Sequence, residues 1–130
     1  MATKNEPSKD SGHSFADYFK RAASPMLVLH LLLEGPMYVY QMAQELSRRS
    51  NGAYTMSLLY PVIYRLVKLG YVAEGEKQVS SDNRVRQYYA ITSAGKEYLS
   101  GILTEYDRLV FAVHKIITHP KEQQYGDESN

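Results

Sequence analysis

The side chains that could do chemistry in this sequence are cations and tyrosines, because nucleophiles and metal ligands are scarce. The 130-residue chain has no cysteine, which excludes thiol catalysis, disulfides and thiolate-held metals. It has four histidines; His114 and His119, at i and i+5, do not share a helix face, and His30 in an apolar run is typical of a core residue. No phosphate-binding glycine loop or nucleophile elbow is present. The sequence therefore predicts no enzymatic activity and no cofactor or metal.

Basic residues outnumber acidic ones between residues 57 and 93. Five basic and three acidic side chains lie in this segment, whereas the whole chain has a formal charge of only +1. The chain also has 12 tyrosines against three phenylalanines and no tryptophan. Tyrosine hydroxyls and guanidinium groups both donate hydrogen bonds to phosphate oxygens, which makes nucleic acid a candidate partner. An ordinary solvated surface is the equal alternative, since the excess of positive charge is small.

Three helices must position these side chains. We predict the first over about residues 25–34, capped by Ser24 and preceded by a short helical stretch at 15–21. The second is predicted over 38–49 and the third over 57–69. Ser57 or Thr55 can cap the third helix, which tolerates Pro61 only near its start. Apolar residues recur at helical spacing in the second and third helices, so each has one buried and one exposed face.

A β-hairpin and a long helix complete the pattern. The strands are predicted over 71–79 and 84–91 around a turn at 80–83, with Arg84 and Arg86 on the same side near the turn. The last helix is predicted over 93–118, before Pro120. Its apolar residues repeat in heptads, which favours packing along another helix in a homodimer or against the chain's own core. The predicted dimer residues are Leu99, Ile102, Leu103, Tyr106, Leu109, Val110, Val113, Ile116 and Ile117.

These elements predict a fold that is mainly α with a small β-hairpin: a winged helix-turn-helix followed by a long C-terminal dimerisation helix. In such a module the third helix enters the major groove and the second lies across the DNA backbone, while the hairpin, or wing, contacts phosphates or a neighbouring groove. The predicted organisation is a disordered lead at 1–13, a DNA-binding domain at 14–92, a dimerisation helix at 93–119 and a flexible tail at 120–130. No apolar run is long enough to cross a membrane and no secretory signal is present, which favours a cytoplasmic protein.

Three motifs, in order, resemble the PadR family of bacterial transcriptional regulators. Residues 31–42 (LLLEGPMYVYQM) are similar to the family's leucine-rich Glu-Gly-Pro-Leu-His-Gly-Tyr segment. Residues 59–72 resemble its Ser-Leu-Tyr-Pro, Arg-Leu and Gly-Leu-Val recognition helix, and residues 84–95 resemble its Arg-Pro-Arg-Lys-Tyr-Tyr wing. The resemblance covers about residues 24–118, the whole predicted folded part.

The resemblance implies a dimeric repressor of a palindromic operator in double-stranded DNA, held together by the last helix. Together with the exposed faces of the second and third helices and the wing, it predicts a set of DNA-binding residues. These are Tyr38, Tyr40, Gln41, Gln44, Ser57, Tyr60, Pro61, Tyr64, Arg65, Lys68, Lys77, Arg84 and Arg86. The alternative is a winged-helix module that binds another protein without sequence-specific DNA recognition.

The sequence also departs from the family pattern. Tyr38 and Val39 replace the family's His-Gly, and Leu58 replaces a hydroxyl residue before Leu-Tyr-Pro. In the wing, the family's Gly, Pro and Lys are replaced by Asn83, Val85 and Gln87 respectively. These changes predict a weaker or altered DNA footprint on an unaltered fold.

A small hydrophobic ligand between two last helices is a further candidate partner. Tyrosines would have to stack on it, because the chain has no tryptophan. The candidate effector residues are Tyr98, Leu103, Tyr106 and Val110. The alternative is that the same side chains simply fill a dimer core.

Overall fold

The computed structural model describes residues 14–119 and residue 121. Both predicted disordered ends, 1–13 and 120–130, lie outside the described residues, apart from Lys121. Four helices and three strands follow one another in the described part. They are α1 (Phe15–Leu32), β1 (Met37–Tyr38), α2 (Val39–Arg49), α3 (Tyr60–Lys68), β2 (Val72–Val79), β3 (Val85–Ile91) and α4 (Ser93–Thr118).

Helix α1 is continuous, whereas the sequence predicted a short stretch and a separate helix beginning at Pro25. The helix begins after Ser14, whose hydroxyl accepts a hydrogen bond from the Asp17 amide at 3.0 Å. The prediction that Ser24 caps the helix was wrong, since Ser24 lies in the interior of α1. Its side chain is fully buried. An interior proline costs about 3 kcal/mol, which burial of apolar side chains on both sides of Pro25 offsets. His30, predicted to be a core residue, is exposed.

Helix α3 begins at Tyr60, later than the predicted start at Ser57. Pro61 lies in its first turn, where a missing N–H leaves no intrahelical hydrogen bond unmade. Neither Ser57 nor Thr55 caps the helix: the N-cap position is Leu59, and no side chain caps the first turn. The predictions for α2 and α4 were confirmed to within a residue.

The sheet has three strands where the sequence predicted two. Strands β2 and β3 form the predicted hairpin, with Ala73 opposite Ala90. The short strand β1 pairs with the other edge of β3, with Met37 opposite Tyr89, so the order is β1-β3-β2. Two residues are too few to show an alternating pattern, which is why the sequence did not indicate β1. The pairing ties the start of α2 to the wing.

The core lies where α1, α2, α3 and β3 meet. Apolar residues at helical spacing in α2 and α3 are buried as predicted, which turns their polar faces outward. Leu99 in the first part of α4 joins them, at 2% exposure. The largest fully buried apolar side chains are Leu29, Leu31, Met42, Leu59, Ile63, Leu99 and Val28.

A buried hydroxyl ties the loop before α3 to α1. The Ser24 and Tyr54 hydroxyl oxygens are 2.7 Å apart and share a hydrogen bond, and Met56 Sδ lies 2.9 Å from the Ser24 oxygen. Burial raises the pKa of the Tyr54 phenol. The loop that leads into α3 is therefore held by a part-buried polar contact.

Replacing Tyr54 with phenylalanine should lower the free energy of unfolding by about 1–2 kcal/mol, because it leaves a buried hydroxyl without this partner. Tyr40→Phe is the matched control: Tyr40 is exposed, and its loss of a hydroxyl should change stability by less than about 0.5 kcal/mol. Urea denaturation followed by circular dichroism measures both. Equal effects of the two substitutions would contradict a stabilising role for the Ser24–Tyr54 contact.

The chain forms two compact units that divide inside α4, after Leu99. The sequence placed the boundary earlier, after Thr92. The first two turns of α4 belong to the N-terminal unit, in which Gly95 packs against the Tyr71 carbonyl and Ile91. Thr92 reinforces this contact, since its amide donates to the Tyr71 carbonyl at 3.0 Å and its hydroxyl to the Gly70 carbonyl at 2.7 Å. No helix among the described residues is long and apolar enough to span a membrane.

Candidate nucleic-acid interface

The outer face of α3 presents polar and aromatic side chains to solvent. Ile63 and Leu66 are buried and anchor the opposite face. The Tyr60 and Tyr64 rings lie side by side on the outer face, with centroids 5.9 Å apart. A shallow groove of about 510 Å³ runs along the helix. It is lined by Pro61, Tyr64, Arg65, Val67 and Lys68.

The beginning of α2 meets the wing across a cavity of about 300 Å³. It brings together five of the predicted DNA-binding residues: Tyr38, Tyr40, Ser57, Tyr60 and Arg86. Residues from β1, α2, the loop before α3, the start of α3 and β3 therefore meet at one place. A cavity of this size and mixed polarity can take a phosphate group or a side chain.

The α2 residues predicted to contact DNA have different surroundings. The Gln41 side-chain oxygen accepts a hydrogen bond from the Tyr38 amide at 3.4 Å, so it caps the first turn of α2. Tyr40 and Gln44 are exposed. Gln44 does not line the cavity. Among these residues, Tyr40 is the one that is both exposed and next to the wing.

The α2 cations near its C-terminus are compensated by acidic residues. Arg49 binds Glu34 through two nitrogens, at 2.6 and 2.7 Å, and also Glu45 at 2.8 Å. Arg48 binds Glu45 at 2.6 Å. Hydrogen bonds from Arg48 and Arg49 lower the pKa of Glu45 to about 2. This cluster therefore adds little net positive charge to the surface.

The wing carries three cations near its tip or along β2. Lys77 and Arg84 are exposed, and the Arg84 side chain is 72% accessible. Arg86 is only 17% accessible and donates to Asp82 at 2.8 Å. A hydrogen bond from the Ser80 hydroxyl, with the nearby Arg86 charge, lowers the pKa of the Asp82 carboxyl. The sequence predicted the same DNA-contacting role for Arg84 and Arg86, but the surroundings of the two side chains differ.

Two departures from the family pattern have structural explanations. Asn83 has a φ of +66°, a left-handed conformation that asparagine tolerates better than most residues. It can therefore take the place of the family's glycine. The Gln87 amide donates to the Gly75 carbonyl at 2.8 Å, next to an irregularity in the β2–β3 register. Leu58 and Val85 are exposed, and no contact explains these two replacements.

Two cations on α1 were missed from the sequence. Lys20 and Arg21 line an open groove of about 640 Å³ together with Ser57, Leu58 and Pro61. The groove adjoins the start of α3. In the sequence, Lys20 and Arg21 show only as two adjacent cations on a predicted helical stretch. No local pattern connects them with the residues at the start of α3.

The apolar stripe of α4 is exposed beyond Leu99. Leu103, Tyr106 and Val110 are partly exposed, and Val113 is 52% exposed. Leu99 is buried in the N-terminal unit, which leaves it little surface for a partner chain. The remaining predicted dimer residues are on the C-terminal unit: Ile102, Leu103, Tyr106, Leu109, Val110, Val113, Ile116 and Ile117.

The predicted effector residues divide between the two units. The Tyr98 ring stacks on the Tyr71 ring with centroids 4.2 Å apart. Leu103, Tyr106 and Val110 are on the C-terminal unit. The hydrophobic effector stays a prediction. In the described part of the chain, no three acidic, histidine or cysteine side chains are grouped so that they could hold a metal ion.

Residues 28–101, which include α2, α3 and the wing, match the model of the transcriptional regulator PadR-like family. The chain belongs to this family. PadR-like proteins are DNA-binding transcriptional regulators, and membership confirms both the winged-helix fold and the prediction that the protein is not an enzyme. PadR-like regulators typically dimerise.

Transcriptional regulators of known structure are similar in fold to this PadR-like chain. A PadR family transcriptional regulator from Eggerthella lenta is 26% identical, with a TM-score of 0.68 over 79% of this chain and 88% of its own. A transcriptional regulator from Clostridium thermocellum shares the fold, with 24% identity and a TM-score of 0.71 over 78% of this chain and 99% of its own. An uncharacterized protein of Lysinibacillus sphaericus is 40% identical over 62% of this chain and 74% of its own length.

Proposed function

We propose that this PadR-like regulator is a cytoplasmic repressor that binds a palindromic operator in double-stranded DNA as a homodimer. The observation that carries the proposal is the exposed outer face of α3, on which Tyr60, Tyr64, Arg65 and Lys68 are all accessible. The buried residues of the same helix fix that face toward solvent. A helix of this kind fits a major groove about 12 Å wide.

The exposed cations and tyrosines of α3 would make different kinds of contact with DNA. Arg65 and Lys68 would bind phosphates or guanine edges, and the hydroxyls of Tyr60 and Tyr64 would donate to the backbone. Arg84 at the wing would reach a further phosphate. This footprint has few cations, so we expect moderate affinity with a clear dependence on salt.

The exposed stripe of α4 supports the homodimer. A 26-residue helix with apolar side chains in heptads is typical of a helix that packs along another. A second copy supplies an identical stripe, and a twofold axis would place two α3 helices on two half-sites. A dimeric repressor of this kind would exclude polymerase from a promoter that overlaps the operator.

Fluorescence anisotropy with a labelled duplex from the protein's own upstream region tests the proposal. We expect binding to this duplex that weakens steeply between two salt concentrations, and much weaker binding to a scrambled duplex. Equal, weak binding to both would contradict specific recognition of this operator. A well-folded dimer that binds neither duplex would favour a protein partner instead.

Removing the two α3 cations should weaken DNA binding. The variant Arg65→Gln with Lys68→Gln should lower affinity by about tenfold or more and reduce the salt slope by about two units, because each lost phosphate contact contributes about 0.9. Lys96→Gln, an exposed cation on α4, is the control and should change neither value appreciably. Parallel losses in the variant and the control would mean that α3 has no special role.

A further inference from the structure

Arg84 and Arg86 lie two residues apart at the start of β3 but have different surroundings. The Arg84 guanidinium is largely in solvent, and its closest carboxylate approach is 3.9 Å, to Asp82. Arg86 donates directly to the same carboxylate at 2.8 Å and is mostly covered. The Arg84 charge is therefore accessible to a new anion, whereas the Arg86 charge is already compensated by Asp82.

Arg86 also packs on aromatic rings at the start of α2. Its guanidinium carbon lies 4.8 Å from the centre of the Tyr38 ring and 5.7 Å from that of Tyr40. Tyr38 is held in turn by an edge-to-face contact with Tyr88, with centroids 5.3 Å apart. A planar guanidinium can stack on rings and bind a carboxylate at the same time.

Asp82 belongs to the turn at the tip of the wing. It accepts hydrogen bonds from the Ser80 hydroxyl and from the Arg84 amide, the latter at 3.3 Å. Contacts therefore run without interruption from the wing turn, through Arg86, to Tyr38 and Tyr40. Because Tyr38 is the N-cap residue of α2, this chain of contacts joins the wing turn to the start of α2.

We propose that Arg86 is a positioning residue that fixes the wing against α2, and that Arg84 is the one of the two that neutralises a DNA phosphate. The proposal rests on DNA binding as the function of this chain. To reach a phosphate, Arg86 would have to leave Asp82 and both rings, whereas Arg84 gives up little. A wing already held in place does not have to be ordered when DNA binds, so Arg86 raises affinity without a phosphate contact of its own.

Salt titration separates the two roles, because each phosphate contact contributes about 0.9 to the slope of log affinity against log salt. Arg84→Gln should lower the slope by about that amount. The double variant Asp82→Asn with Arg86→Gln leaves the net charge unchanged, and should bind about fivefold more weakly at the wild-type slope. A slope reduced by about 0.9 in the double variant would overturn the proposal, because Arg86 would then be a phosphate contact.

The single variant Asp82→Asn tests whether the Asp82 carboxylate strengthens or weakens DNA binding. It removes a negative charge from the wing, so electrostatic attraction alone predicts tighter DNA binding. If Arg86 holds the wing through Asp82, binding should weaken instead, and its effect should not add to that of Arg86→Gln. Tighter binding, or additive effects, would contradict the positioning role.

Arg86→Lys keeps the charge but removes the planar group that stacks on the rings. We expect the wild-type slope with the reduced affinity of the double variant; wild-type affinity would count against the proposal. Without DNA, amide hydrogen exchange of residues 80–86 should be faster than in the wild-type protein in Arg86→Gln and in Arg86→Lys. It should be unchanged in Arg84→Gln. If the wild-type protein binds no DNA, the proposed function fails, while the exchange measurement still decides whether Arg86 anchors the wing.

Discussion

Replacing Val113 with aspartate should convert the proposed homodimer to a monomer and lower affinity for the proposed operator by about a hundredfold or more. Val113 is 52% exposed in the single chain and belongs to the last third of the apolar stripe on α4. Burying a carboxylate between two apolar helices without a partner is strongly unfavourable. Loss of the dimer also separates the two DNA-binding domains, so each would bind its half-site independently.

Thr104→Asp is the matched control for this variant. Thr104 is exposed on the same helix, and its offset of nine positions from Val113 corresponds to about two and a half turns, which places it on the opposite side. It adds the same charge and should leave the dimer intact. Sedimentation velocity at micromolar concentration measures the assembly, and circular dichroism checks that both variants are folded. A Val113→Asp protein that remains dimeric would exclude this stripe as the interface.

Replacing Gly95 with alanine should lower the free energy of unfolding by about 2–3 kcal/mol. A Cβ at this position would overlap the Tyr71 carbonyl oxygen and approach Ile91 Cγ1 to 2.8 Å. The obstructing oxygen belongs to the backbone and accepts a hydrogen bond from the Thr92 amide, so it cannot turn away. In the alanine variant the start of α4 must move away from Tyr71 and Ile91. The packing of buried Leu99 would be weakened by the same movement.

Gly101→Ala provides a control of opposite sign in the same helix. Nothing lies within 4 Å of a Cβ at Gly101, so alanine meets no obstacle there. It should stabilise the protein by about 0.5–1 kcal/mol, because glycine loses more backbone entropy than alanine in a helix. Thermal and urea unfolding of the two variants measure the difference. Similar effects at both positions would contradict the close packing at Gly95.

Local patterns were enough to locate most elements of the fold. The boundaries of α4, the end of α2 and the hairpin agree with the prediction because their hydrogen bonds join residues close in sequence and their apolar spacing repeats. The exposed face of α3 was also predicted, since the buried positions in a helix determine the exposed ones. Three separated motifs indicated the family, which the match over residues 28–101 confirmed.

Contacts between distant residues decided the rest. Burial of α1 kept Pro25 within a continuous helix, and the β3 edge turned Met37 and Tyr38 into a strand. Neither could be predicted locally, because the stabilising partners lie elsewhere in the chain.

The same physical reason separates the two wing arginines. Arg84 and Arg86 are alike in type and spacing, so the sequence predicted one role for both. Only the folded chain brings Tyr38 and Tyr40 to the Arg86 guanidinium. Periodicity predicted which side of an element a residue occupies, but the charge and accessibility of that residue depend on neighbours that only tertiary packing supplies.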